Sequence, residues 1–588
     1  MRETPANPDT PPQSAPPTGW RTVLPPVQWL ANYSWAHLSR DAVAGVTLAA
    51  YGIPVSLAYA SLAGLPPEYG VYCYLVGGLF YAVFGTSRQL AIGPTSAISM
   101  LVGITVAGMA AGDPARWASI SALTAVLIAV MCFLAWLLKL SSLVNFISET
   151  ILLGFKAGAA LTIALTQLPK LFGVKGGGEF FFERVGILAM QLPHANLVVL
   201  AFGAAVVVVL LLGERFLPGK PVALAVVMLA VFIASIVSLE PLGFKVVGAI
   251  PQGLPAFRVP DLRLRDVDGI VPLAFACLLL SYVESVSAAR ALAQAHQYEI
   301  DARQELLALG AANLAAGLFH AYPVAGGLSQ SSVNDQAGAK TPMALVFASI
   351  AVALCLIFLT GLLASLPTVV LAAIVLVAVK GLINLSELRH VWCVSRFEFV
   401  VSMVAFAAVL LLGILKGVII AVLVSMVLII RRAAHPHVAV LGRIPGSRAF
   451  SDAERHPENE PVPHTLVLRP ESSLLYFNVD HVRARIREEV RKFAGPLSLV
   501  ICDLSASPAM DIAGARMLAG LGDELHAAGT QMRLVGALGE ARTLLRAEGL
   551  DHSVGEIDRQ TSVADIVEFT IKCEGPQRQP ALLRSEPV

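Results

Sequence analysis

The chain has 588 residues, 56% of them hydrophobic and only 14% charged, with a formal net charge of +1. Soluble domains run to roughly 100–200 residues with about 25% charged side chains, so a single soluble domain is excluded and a polytopic membrane protein fits. The near-neutral balance supplies no basic field and argues against a nucleic-acid partner.

Met1–Gly19 is rich in Pro, Thr and Ser and lacks the apolar core of a signal peptide, so residues 1–40 read as a disordered cytosolic tail. The first apolar block, Ala42–Leu65, holds Gly52-Ile53-Pro54 in its middle, where proline removes a backbone hydrogen bond and is expected to break the helix. Tyr69–Gly85 follows, and GPTSA (Gly93–Ala97) then leads into a short apolar run to Met109. Trp117–Leu138 is free of charge and long enough to cross about 30 Å of hydrocarbon. Leu143–Leu168 carries Glu149 and Lys156, seven residues apart and so on one helix face, which reads as an intramembrane structural pair. Leu197–Gly213 and Pro221–Leu239 complete about seven elements. After the polar stretch Glu240–Gly269 the pattern restarts with Ile270–Leu292, Leu306–Phe319 and an interrupted Tyr322–Ala339. Thr341–Val379 has no charge and is divided by Pro367, and Phe399–Leu415 and Gly417–Ile430 close a second set of about seven.

In each half the third element is short and interrupted, GPTSAISM in the first and VAGGLSQSSV in the second. Broken segments in matching positions point to an inverted-repeat transporter with its site near the bilayer midplane. Lys and Arg gather in alternate connections, at Arg88, Lys139, Arg215, Lys220, Arg290, Arg303, Lys340, Arg389 and Arg396. That bias predicts fourteen spans with both termini inside; the stretches at 170–184 and 245–265 depart from it. The seven cysteines lie mostly in apolar runs and form no CxxC pair, so they read as small core residues rather than metal ligands.

Two half-helices starting near the midplane would offer an anion free N–H groups and positive dipole ends. The candidate contacts are Pro94, Thr95, Ser96 and Ala97 at one start, and Leu328, Ser329, Gln330 and Ser331 at the other. Ser56 and Tyr59 of the first span join them. Ser281–Ala293 (SYVESVSAARALA) places one carboxylate, Glu284, at membrane depth, where an ionisable side chain costs about 2.5–3.5 kcal/mol to insert and marks a functional site by default. Its expected role is to take up H⁺ or Na⁺, so that cation and anion enter with little net charge. Arg290 reads as an interfacial anchor.

Beyond His437 the composition becomes soluble. Val462–Leu468, Leu474–Phe477, Leu497–Leu504 and Met532–Ala537 read as strands, and Val479–Phe493, Ala513–Ala527 and Leu538–Glu548 as helices, giving a small α/β sandwich. The division expected is a transporter domain over 41–432, a linker over 433–461, a soluble domain over 462–573 and a disordered tail over 574–588.

DAVAGVTLAAYGIPVSLAYASLAGLPPEYGVYC, FGTSRQLAIGPTSAISM, VESVSAARALA and AYPVAGGLSQSSVNDQAGAKTPMA together resemble the helix signatures of the SulP family of anion permeases. CDLSASPAMDIAGARMLAGL (Cys502–Leu521) is similar to the signature of a STAS domain. The resemblance implies a seven-plus-seven inverted repeat of core and gate domains, an elevator-like movement, and a cytosolic STAS domain helping to form a homodimer, with Glu284 at the family's acidic position. The chain departs from the common pattern at three places: Val55 replaces Gln or Glu, Gln330 replaces Arg, and Ile512-Ala513 replaces the phosphorylated Ser or Thr after the signature Asp.

The function expected is secondary active transport of an inorganic anion, sulfate first and bicarbonate or a dicarboxylate next. H⁺ or Na⁺ is the coupling ion, no cofactor takes part, and the location is a bacterial inner membrane with cytoplasmic termini. A nucleobase–proton symporter and a non-transporting membrane-anchored STAS regulator are the competing readings. An enzyme is not indicated: no nucleophile–base pair, metal-spaced His/Cys set or phosphate loop occurs.

Overall fold

A computed structural model describes residues 25–574 apart from 31–32, 111, 142–148, 179, 218–220, 238–239, 249, 262 and 264–265. The tails expected over 1–40 and 574–588 therefore lie, for 1–24 and 575–588, outside the described residues. The chain divides into two compact units, 1–425 and 426–588.

The first unit is helical. Its first half comprises α1 (Trp35–Leu62), α2 (Pro67–Phe84), the short strand β1 (Ile92–Gly93), α3 (Ser96–Ala110), α4 (Pro114–Leu137), α5 (Glu149–Phe172), α6 (Leu197–Phe216) and α7 (Val222–Ile236). The second comprises α8 (Val267–Ala295), α9 (Ala302–Leu318), the strand β2 (Ala325–Gly326), α10 (Leu328–Gln336), α11 (Met343–Phe358), α12 (Thr368–Lys380), α13 (Arg396–Leu412) and α14 (Ile414–Ala434), which runs on into the second unit. Among the described residues seven helices are long and apolar enough to cross a membrane, and α3, α7 and α11 are shorter apolar helices. Val208, Val209 and Leu212 on α6, and Met228, Leu229 and Phe232 on α7, are exposed, an apolar surface that suits hydrocarbon rather than water.

The Gly52-Ile53-Pro54 stretch does not break the first helix, because α1 runs through Pro54 without interruption. The helix is enclosed there, with Gly52 to Ala60 all buried, and enclosed membrane helices tolerate a missing N–H when neighbours and hydroxyls satisfy the backbone. Tight packing depends on small residues: a Cβ on Gly70 of α2 would lie 1.9 Å from the Ser56 carbonyl oxygen of α1.

Buried acids pin the connections. Asp41, fully buried, accepts hydrogen bonds from the backbone N–H groups of Lys340 (2.7 Å) and Thr341 (3.1 Å) and from the Thr341 hydroxyl (2.5 Å), so the start of α1 is tied to the α10–α11 connection. Glu305 on α9 is 1% exposed; its Oε1 accepts from Thr86 N (2.8 Å), Thr86 Oγ1 (2.5 Å) and Ser87 N (3.3 Å), and its Oε2 from the Tyr81 hydroxyl (2.8 Å). Arg116 near the start of α4 and Asp266 just before α8 form a buried ion pair.

The second unit carries β3 (Val438–Arg443), β4 (Phe450–Asp452), β5 (Thr465–Pro470), α15 (Val479–Lys492), β6 (Leu499–Asp503), α16 (Ile512–Ala527), β7 (Gln531–Val535), α17 (Gly539–Ala547) and α18 (Val563–Glu574). The sheet order is β4-β3-β5-β6-β7, with β5, β6 and β7 parallel and β3 antiparallel to both β4 and β5. Val482 and Ile486 of α15 and Leu518 and Leu521 of α16 pack on one face of the sheet, and Val563 and Val567 of α18 on the other. The stretch 433–461 is thus not a linker: it holds β3 and β4, with a further bridge between Arg443 and Glu460. Leu474–Phe477, expected as a strand, makes only an isolated bridge, from Leu474 to Met510.

Candidate anion site

Gly85, Gly93 and Pro94 deny residues 85–95 a helix, and the chain runs extended until α3 begins. The same happens before α10. The two extended pieces meet: β1 and β2 pair antiparallel, Ile92 opposite Gly326 and Gly93 opposite Ala325, so the half-helices that follow start beside one another and depart in opposite directions. The ring of Tyr74 on α2 lies against β1, where a Cβ on Gly93 would come within 2.8 Å of it.

The second strand and its lead-in are fastened from behind. Asn313 of α9 donates to Val324 O (3.1 Å) and accepts from Val324 N (3.0 Å). Ser285 of α8 donates to Ser281 O (2.6 Å) and accepts from Gly326 N (2.8 Å). Ser99 of α3 and the Tyr322 hydroxyl share a hydrogen bond of 3.0 Å.

Both helix starts are open. The first helical bond of α3 runs from Ser99 N to Thr95 O (2.9 Å), while Thr95 Oγ1 is buried with no hydrogen-bond partner. In α10 the cap position is Gly327, which has no side chain, and Ser331 N donates to Gly327 O (3.0 Å). The first-turn N–H groups of Ser96, Ala97, Leu328, Ser329 and Gln330 therefore lack the side-chain caps that usually occupy such positions.

The expected residues divide. Gln330, 3% exposed, staples the two starts by donating from Nε2 to Pro94 O (2.7 Å), and its Oε1 is left without a partner. Thr95 and Ser96 are buried beside it, whereas Leu328 and Ser329 are exposed. Tyr59 is buried with its hydroxyl beside Ser96. Ser56 and Ser331 are brought to the same place but their hydroxyls are taken: Ser56 donates to Ile53 O (2.8 Å), and Ser331 donates to Gly327 O (2.8 Å) while accepting from Ala91 N (2.9 Å). Both serines thus spend their hydroxyls on backbone groups.

Glu284 lies on α8, partly open, with the Thr95 hydroxyl, Tyr59 and the ammonium of Lys156 as its electrostatic neighbours. The Thr95 hydroxyl approaches it without reaching hydrogen-bond geometry. The pairing of Lys156 with Glu149 falls partly outside the described residues, since the Glu149 side chain is not among them. Arg290 is exposed near the C-terminal end of α8.

Sequence reasoning missed Tyr74, whose buried hydroxyl has no partner, and the supporting Asn313, Ser285 and Glu305. A polar residue inside a small-residue helix was the available signal for Asn313 and Ser285. Nothing in the local pattern marks Tyr74.

Comparison with known proteins follows the same division of the chain. Residues 38–405 match the model of the sulfate permease family, and residues 456–565 that of the STAS domain. A probable sulfate transporter of Mycobacterium tuberculosis is 33% identical over 538 residues, covering 92% of this chain and 96% of the relative. The chloroplastic sulfate transporter 4.1 of Arabidopsis thaliana is 32% identical over 79% of this chain and 69% of its own length. Among solved structures, the murine solute carrier 26 family member A9 anion transporter in its inward-facing state superposes with a TM-score of 0.85 at 23% identity, covering 96% of this chain and 97% of that one. The transmembrane domain of a cyanobacterial bicarbonate transporter gives 0.58 at 21% identity, over 67% of this chain and 98% of that domain. The chain is a multi-pass anion transporter that belongs to the sulfate permease family and carries a C-terminal STAS domain.

Proposed function

We propose that this protein is a secondary active sulfate transporter whose anion sits between the starts of α3 and α10 and whose coupling cation is a proton taken by Glu284. The observation that carries this reading is the pair of uncapped helix starts, fixed by β1–β2 pairing and the Gln330–Pro94 hydrogen bond, beside a carboxylate. Thr95, Ser96, Ala97, Leu328, Ser329 and Gln330 face the anion; Pro94, Ser56, Tyr59 and Ser331 shape the pocket. Exposed N–H groups at the positive end of a helix dipole replace lost hydration. A proton suits Glu284 better than Na⁺, because the Lys156 ammonium lies within its Coulombic reach and repels a metal cation. Neutralising Glu284 as a dianion enters keeps the charge buried per cycle small.

The wider cycle belongs to the same proposal. The strand-linked half-helices move as one elevator-like body, the STAS domain faces the cytoplasm and supports a homodimer, and the setting is a bacterial inner membrane with both termini inside. The names of the relatives support sulfate; bicarbonate or a dicarboxylate is the alternative cargo. Uptake of radiolabelled sulfate into proteoliposomes, with and without an inward proton gradient and with and without Na⁺, tests the reading. Sulfate accumulation driven by the proton gradient and indifferent to Na⁺ is expected. Bicarbonate uptake without sulfate uptake would replace the substrate, and sodium dependence would replace the coupling ion.

A further inference from the structure

The site just described has a charge deficit. Its side chains are hydroxyls, an amide and apolar groups, and its one formal charge, on Glu284, has the sign of the ligand. Dipoles at two helix starts amount to about half an elementary charge each, which leaves a doubly charged oxyanion incompletely matched.

The charge of Lys156 is felt at Glu284. The residue occupies the interior of α5, between buried Phe155 and Ala157, and is only partly open. A lysine at membrane depth is costly to insert, so something must recover that cost. Among the described residues its ammonium has no hydrogen bond and no carboxylate within 4 Å, and its charge acts on Glu284 from a distance. Leu152, one turn earlier on the same helix face, and Phe155 line a crevice with Leu279 and Leu280 of α8, so this face of α5 looks onto the helix that carries Glu284. Around the helix starts, two buried hydroxyls are also without partners, Thr95 Oγ1 and Tyr74 Oη. Native interiors rarely leave such groups unsatisfied. Hydroxyls and an ammonium are donors, and an oxyanion supplies the acceptors.

We propose that Lys156 is the cationic anion-binding residue of this transporter, its ammonium completing from α5 the donor set begun by Thr95 and the starts of α3 and α10. The assignment rests on the transport reading above and adds to it one residue that the helix signatures do not mark. It also accounts for Gln330: with a cation supplied from α5, the start of α10 needs only an amide to hold it to Pro94.

The test uses the full-length protein in proteoliposomes, with radiolabelled sulfate as the probe in exchange for internal sulfate. Lys156→Gln is expected to raise the sulfate KM at least tenfold, Lys156→Arg to stay within threefold of wild type, and Lys156→Gln combined with Gln330→Arg to regain most of the loss by returning a positive charge from the opposite side. A Lys156→Gln KM within twofold of wild type overturns the assignment. A second measurement needs no variant: in the wild-type protein, sulfate should protect Lys156 from an amine-acylating reagent, read by mass spectrometry, and equal acylation with and without sulfate overturns it as well. If the wild-type protein moves no sulfate, the transport reading and this assignment fall together. Sulfate exchange that is indifferent to Lys156 removes only the lysine.

Discussion

Replacing Glu305 removes the acceptor around which residues 86–87, just ahead of β1, are folded. The carboxylate is 1% exposed and takes four hydrogen bonds, at 2.5, 2.8, 2.8 and 3.3 Å, all from O–H or N–H donors. A hydrogen bond to a charged group contributes about 1.5–3 kcal/mol, and a buried donor left unpaired costs about 1–3 kcal/mol. These terms do not simply add, because removing the acid also removes its own desolvation cost and leaves neutral donors, not a charge, unpaired. Glu305→Ala is therefore expected to lose at least the cost of one stranded donor, about 1–3 kcal/mol, and Glu305→Gln, which keeps one acceptor oxygen, less. Since the held segment leads directly into β1 and the start of α3, sulfate affinity should fall in the same order. Thermal unfolding of the detergent-solubilised protein, with sulfate exchange on the folded fraction, measures both. A Glu305→Ala protein that melts with wild type would refute the clamp.

Two further substitutions probe how the site is held. Gly70→Ala should fail to yield folded protein, since its Cβ would fall 1.9 Å from Ser56 O, a backbone atom in the middle of α1; normal yield and melting would mean that α1 and α2 do not pack as described. Ser285→Ala strands the N–H of Gly326 and should lower stability by about 1–3 kcal/mol, while an unchanged melting temperature would show that α8 does not anchor β2.

How much of this was legible depends on sequence separation. The interrupted segments at Gly93–Ala97 and Gly326–Ser331 could be read directly, because glycine and proline punctuate an apolar run whatever surrounds it. The hydrogen bonds that join them could not: Gln330 reaches Pro94 across 236 positions, and a two-residue strand leaves no periodic trace. Glu305 sits in the first turn of α9 and looks like an ordinary acid at a helix start; only the fold brings Thr86 to it. Pro54 misled in the other direction, because enclosure of α1 outweighed a local breaker. In the soluble unit, β6 and α15 stand out by an apolar run and a helical stripe, whereas β3 follows a basic, proline-containing stretch that reads as a linker. The seven-residue spacing puts Lys156 on one helix face with Glu149, but its relation to Glu284 depends on how α5 packs, which spacing along one helix does not report.

The account rests on Glu284 as the proton carrier beside a dipole-lined anion pocket, and Glu284→Gln tests this most directly. In proteoliposomes the variant should still exchange sulfate for sulfate but no longer accumulate it when an inward proton gradient is imposed. Gradient-driven accumulation equal to wild type in that variant would contradict the account.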